Sequence, residues 1–119
     1  MKLVAYINQD SSTYGQISAL INRMEELEQI LIVKDKSTPM PFLNPACKSI
    51  NVDSSKDLSS FKTEIQEKLK RFLKGDFEVA LSIASGNGKE HMALISALLT
   101  LPVGIKLTAF TKQGVEFIS

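Results

Sequence analysis

One cysteine, Cys47, and one histidine, His91, are the only thiol and imidazole side chains in this 119-residue chain. An internal disulfide framework is therefore excluded, and a zinc site, which needs several Cys or His at ligand spacing, has no signature. Tryptophan is absent, and no apolar run approaches the about 18 residues that read as a membrane-spanning helix. Charge of one sign is missing too: 14 Lys and Arg against 13 Asp and Glu leave a net +1, without the strongly basic face or tail expected of a duplex nucleic-acid binder. The apolar stretch Leu3–Ile7 is too short for a secretory leader. The expected setting is the reducing cytoplasm, with no membrane partner. At 44% hydrophobic residues the chain suits one domain, residues 1–119, with a modest core.

What is present is an alternation of short apolar runs with helical periodicities. Leu3–Ile7 reads as a buried strand, and Asn8–Thr13 as a polar loop rich in helix caps. Ile17, Leu20, Ile21, Met24 and Leu27 follow at spacings of three and four, which predicts a helix reaching Leu27. Ile30–Val33 fits a central parallel strand. Residues 37–45 hold three of the four prolines and predict a long connection across an edge or over a pocket. Ser49–Val52 is a candidate third strand. Asp57–Leu73 carries Leu58, Phe61, Ile65, Leu69, Phe72 and Leu73 at helical spacing, with Ser54 or Ser55 as the expected cap and Gly75 as the stop. Phe77–Ile83 is the fourth strand, Lys89–Leu99 an apolar helix, Ile105–Phe110 a fifth strand, and Val115–Ile118 the return of a hairpin. The pattern predicts an α/β fold: a three-layer Rossmann-like sandwich with a mostly parallel sheet of five to six strands and a C-terminal β-hairpin.

In such folds ligands bind beyond the carboxyl ends of the strands, where the strand order reverses. Two polar loops fall at that edge, after the first strand and after the fourth. The fourth strand ends in Ser85-Gly86-Asn87-Gly88-Lys89, a small, glycine-punctuated turn that opens a helix. Backbone amides at such a helix start suit a phosphate or another anion, and Lys89 adds a full charge. The spacing matches neither the P-loop nor the Gly-x-Gly-x-x-Gly dinucleotide fingerprint, so ATP and NAD chemistry are unsupported and no cofactor is expected. The alternative is that Gly86 and Gly88 only make a tight turn.

The loop Asn8-Gln9-Asp10-Ser11-Ser12-Thr13 after strand one, the run Ser85–Met92 with its small-Gly-x-x-basic pattern after strand four, the apolar helix and the terminal hairpin together resemble the CARF (CRISPR-associated Rossmann fold) domains. That resemblance implies a homodimer whose two copies place these loops side by side around a cyclic oligoadenylate second messenger, in CRISPR-linked antiviral signalling. It implies ligand contacts from Asp10, Ser11, Ser12, Thr13, Ser85, Gly86, Asn87, Gly88 and Lys89. Some stand-alone members are ring nucleases that cut the messenger without metal: the ribose 2′-hydroxyl attacks the adjacent phosphorus, so the protein positions the sugar and stabilises charge. Here Ser11 would orient and Lys89 would neutralise. A lone domain of this kind is expected to act as a ring nuclease, as a messenger sponge, as a subunit working with a separate effector chain, or as a relative that has changed ligand.

Other residues admit two readings each. His91 is either an acid–base group or a locally bonded helix-start histidine. Asp10 and Asp53 are a poor magnesium pair and read as turn formers. Tyr14 stacks on a base or anchors a loop. The helix from Met92 to Leu99 is apolar on nearly all sides, which points to self-association or to burial beneath the proline-rich connection. The function from a different class is a non-catalytic regulatory or interaction subunit that binds a protein or DNA partner.

Overall fold

β-branched and large apolar residues dominate Leu3–Ile7 and Ile30–Val33, and these runs become the two most enclosed strands, buried on both faces as parallel strands inside a sandwich are. A computed structural model, which describes all 119 residues, shows β1 (Lys2–Ile7), α1 (Tyr14–Arg23), β2 (Gln29–Asp35), β3 (Cys47–Val52), α2 (Leu58–Phe72), β4 (Glu78–Ser82), α3 (Gly88–Leu99), β5 (Gly104–Thr111) and β6 (Gly114–Phe117). The six strands form one sheet in the order β3-β2-β1-β4-β5-β6. All neighbours are parallel except the β5–β6 hairpin. This is a three-layer Rossmann-like sandwich, and its order reverses between β1 and β4.

Side chains alternate across the pleat, and the alternation assigns the two cores. Leu3, Ala5, Ile7, Ile30, Ile32 and Ala80 point to one face, where Ile17, Leu20 and Ile21 of α1 cover them. Val4, Tyr6, Leu31, Val33, Val79 and Leu81 point to the other, beneath Phe61, Ile65 and Leu69 of α2 and Ala93, Leu94, Ala97 and Leu98 of α3. No helix joins β2 to β3. Instead Met40, Phe42 and Ala46 of the proline-rich connection pack beside α1.

Two local expectations change. The first helix stops at Arg23 rather than Leu27: Met24 is extended, with ψ 131°, and Glu26 takes a left-handed φ of 61°. Met24 and Leu27 still pack on the α1-side core, so their spacing reflects a shared destination and not a shared helix. The cap of α2 is Asp57, whose carboxylate accepts the Ser60 amide at 2.8 Å, because Ser54 and Ser55 are already bonded to Asp35 and Asp53.

Ala93, Leu94, Ala97 and Leu98 of α3 pack on the sheet beside α2, on the face opposite the proline-rich connection. Met92 and Leu99 stay exposed on it.

Candidate functional site

The pairing of β1 with β4 brings the loop after each to the same edge. A hydrogen bond ties them: Asn8 Nδ2 donates to Glu90 Oε1 at 3.1 Å. The same oxygen accepts the Asn87 amide at 2.8 Å, while Asn87 Oδ1 accepts the Glu90 amide at 2.9 Å. This reciprocal capping box satisfies two donors at the start of α3. Gly86 makes the turn with φ +101°, and a Cβ there would lie 3.1 Å from His91 Nε2 and 3.3 Å from Glu90 Oε1. The positive φ is what favours glycine here, and a Cβ would in addition press on the His91 and Glu90 side chains.

Between these loops and the end of β2 lies a crevice of about 370 Å³, lined by Tyr6, Asn8, Gln9 and Asp10 on the β1 side, Asp35, Ser37, Thr38 and Ser54 on the β2–β3 side, and Asn87 and Glu90 from α3. A slightly larger hollow, about 410 Å³, opens at the opposite end of the sheet beside Phe77, Leu101 and Val103. That hollow is apolar and touches neither loop. The polar crevice, at the carboxyl ends of the strands where the order reverses, is the candidate site.

Its electrostatics differ from a phosphate pocket. Three carboxylates line it, those of Asp10, Asp35 and Glu90, and no cation does. Lys89 reaches across to the β3–α2 loop, donating to Ser54 O at 2.9 Å and Lys56 O at 2.6 Å, with its ammonium 5.6 Å from the Phe61 ring centroid. Lys34 is buried behind the crevice and bonds Thr38 O at 2.7 Å and Asn51 Oδ1 at 2.8 Å. Both ammonium groups thus hold backbone in place. The first-turn amides of α3, at Gly88 and Lys89, have no intrahelical acceptor and suit an anion; they lie next to Asn87 in the chain and outside the crevice lining itself.

Asp10 and Asn87 line the crevice. Ser11, Ser12 and Thr13 form a 3₁₀ turn beside it, with the Ser12 amide bonded to Asp10 Oδ1 at 3.0 Å. Ser85 is buried and its hydroxyl has no partner. Its carbonyl accepts from His91 Nε2 at 2.7 Å, which uses the histidine locally. Tyr14 anchors the first loop by donating to Asn8 O and packing its ring against Phe42. No hydrogen bond joins Ser11 to Lys89, whose ammonium is bonded to Ser54 O and Lys56 O.

No protein-family model, curated protein or solved structure matches this chain.

The sequence reading missed Tyr6, Asp35, Ser37, Thr38, Ser54 and Glu90 as crevice residues. Two signals were available. Asp35 ends a buried parallel strand at the edge where ligands bind, and Asn87-x-x-Glu90 has capping-box spacing. Asp35 Oδ2 accepts the Ser54 amide at 3.0 Å and hydroxyl at 2.6 Å, and Oδ1 accepts the Ser37 amide at 3.1 Å and hydroxyl at 2.9 Å. These donors, Ser54 first, hold its carboxyl well below the usual carboxylate range. Because the folded-state value is depressed, the stabilisation is present above the unfolded value near about 4 and is lost as pH falls below it. Asp35→Asn is expected to cost about 1–2 kcal/mol at pH 7 after allowance for solvent screening. Urea unfolding of both proteins at pH 7 and pH 3 checks this. A gap of the same size at both pH values would contradict it.

Proposed function

We propose that this protein binds a nucleotide of the cyclic oligoadenylate type in the β1/β4 crevice, with two copies closing around the ligand. The observation that carries the reading is the Asn8–Glu90 hydrogen bond, which makes one crevice out of the two loops that resemble those of the CARF domains. The crevice supplies neutral and acidic groups suited to sugar and base, and the free amides at the start of α3 suit phosphate at the rim. Ile83 and Met92 are exposed apolar side chains bordering the same loop, and they offer a surface for a second copy.

The reading is one of binding. Ring cleavage by Ser11 and Lys89 would require the Lys89 ammonium to leave the two carbonyls of the β3–α2 loop that hold it.

The test is calorimetric titration of the purified chain with cyclic tri-, tetra- and hexa-adenylate in EDTA, with sedimentation analysis of each mixture. One ring size is expected to bind at one ring per two chains, in the micromolar range or tighter, and to return unchanged on chromatography. Failure of every ring size to bind would overturn the reading. It would favour an interaction subunit, for which the apolar hollow beside the fully exposed Phe77 is the natural contact.

A further inference from the structure

Tyr6 leads the wholly buried side chains in size, at 1% exposure, and its ring packs edge-on against Phe61 at 6.1 Å. Its hydroxyl is shielded from solvent and has no hydrogen-bond partner. Tyr6 nevertheless belongs to the wall of the crevice, and a ligand reaches its hydroxyl once the side chains over it give way. Burial, reinforced by the carboxylates of Glu90 and Asp35, pushes the phenol well above its ordinary value. It is therefore an O–H donor at neutral pH. Glu90 is near enough to exert that influence but does not meet hydrogen-bonding geometry with the phenol. A buried hydroxyl in this condition is costly, and native proteins rarely leave one so without a reason.

The groups around it have the complementary deficiency. Asp10 uses one carboxylate oxygen on its loop, Oδ1 toward Ser12, and leaves the other without a protein donor, while Glu90 accepts from Asn8 and Asn87 through Oε1 and its carboxylate lies beside the Tyr6 phenol. Ser54 and Ser37 give their protons to Asp35 and present lone pairs. The crevice thus combines one unused donor with several unused acceptors, and both neighbouring ammonium groups are already bound to carbonyl oxygens. A phosphodiester has no proton to give these acceptors, and any phosphate is repelled by the carboxylates. An amine has no ready lone pair for the phenol. A hydroxyl both accepts and donates.

We propose that the crevice floor is a sugar-hydroxyl subsite, in which Tyr6 Oη donates to a ribose hydroxyl whose own proton goes to the Glu90 or Asp10 carboxylate. The nucleotide reading above supplies the identity of the sugar. Tyr6 is then the residue that separates ribo- from deoxyribonucleotides, and phosphate stays outside at the α3 rim.

The experiment is a titration of the ¹⁵N-labelled full chain, wild type and Tyr6→Phe, with adenosine, 2′-deoxyadenosine and inorganic phosphate, followed by amide shifts. Adenosine is expected to shift the amides of Tyr6, Asn8 and Ser54 and to bind about tenfold more tightly than 2′-deoxyadenosine. Phosphate is expected to leave these amides unmoved. Tyr6→Phe is expected to fold at least as stably, because it deletes an unpartnered hydroxyl, and to bring the two nucleosides within about twofold of each other. Equal binding of the two nucleosides to wild type, or discrimination that survives Tyr6→Phe, would overturn the proposal even if a cyclic oligoadenylate binds. Discrimination that depends on Tyr6 would sustain it even if no cyclic oligoadenylate binds, so the two readings fail separately.

Discussion

Phe61→Ala is expected to destabilise the protein by about 3–5 kcal/mol, measured as a lower midpoint in urea at unchanged slope. The side chain is wholly buried in α2 at the centre of the larger core. Its ring meets Tyr6 edge-on, with an interplanar angle of 88°, and lies under the Lys89 ammonium. Truncation removes the transfer free energy of a benzyl group and leaves a cavity that strands on one side and α3 on the other cannot fill by small shifts. Two further contacts go with it, the aromatic pair that fixes Tyr6 and the cation–π contact that helps hold Lys89 against the β3–α2 loop. The loss is a large fraction of the about 5–15 kcal/mol that holds a domain of this kind together. Phe61→Leu, which keeps most of the volume, is expected to cost less than half as much. A loss below about 2 kcal/mol for the alanine variant would mean that this part of the core collapses readily.

Glu90→Ala is expected to cost about 2–4 kcal/mol and to separate the two crevice loops. Glu90 is 7% exposed, yet it carries a carboxylate. What makes it tolerable there is that Oε1 accepts from both Asn8 and Asn87. Alanine leaves those two donors without their acceptor, removes half of the capping box, and frees the β1 loop from α3. Glu90→Gln keeps a carbonyl oxygen for the same donors and should recover more than half of the loss. Urea unfolding gives the stability change, and hydrogen exchange at the Asn8 side-chain amide and the Asn87 backbone amide reports on the loops. If exchange at these amides is unchanged in Glu90→Ala, the carboxylate does not join them.

Much of the fold could be read from periodicity because each strand and helix has an internal cause. Ile30–Val33 contains only β-branched residues and leucine, and both of its faces are covered. Such a run has the same appearance whatever covers it, and it reads as a central strand. Phe61, Ile65 and Leu69 recur at helical spacing and duly share one buried face of α2. The end of α1 could not be read this way. Met24 and Leu27 satisfy the spacing of a helix, but the chain must turn back toward β2, and Glu26 accepts a left-handed conformation to do so. Apolar spacing reports where side chains are buried and says little about the backbone that carries them there.

The candidate site divides along the same line. Residues 85–89 mark a strand-to-helix turn by themselves, because the φ of +101° at Gly86 and the Asn87 cap are local requirements. The direction of a long side chain is not local. Lys89 stands beside the turn in sequence and was expected at an anion, yet its ammonium lies against carbonyls of Ser54 and Lys56, more than thirty residues away. Asp35, Ser54 and Tyr6 join the crevice only because β1 sits between β2 and β4 in the sheet.

By itself, the sequence determined the element types, the pairing of an α/β architecture with a terminal hairpin, and the two loops that carry polar groups, since these follow from propensity, period and turn chemistry within a few residues. Only the tertiary structure decided which charges face the crevice. A side chain's electrostatic role depends on the nearest partner in space, and the folding of distant segments assigned the ammonium groups to backbone carbonyls while it gathered the carboxylates, with one unpartnered phenol, at the edge where the sheet reverses.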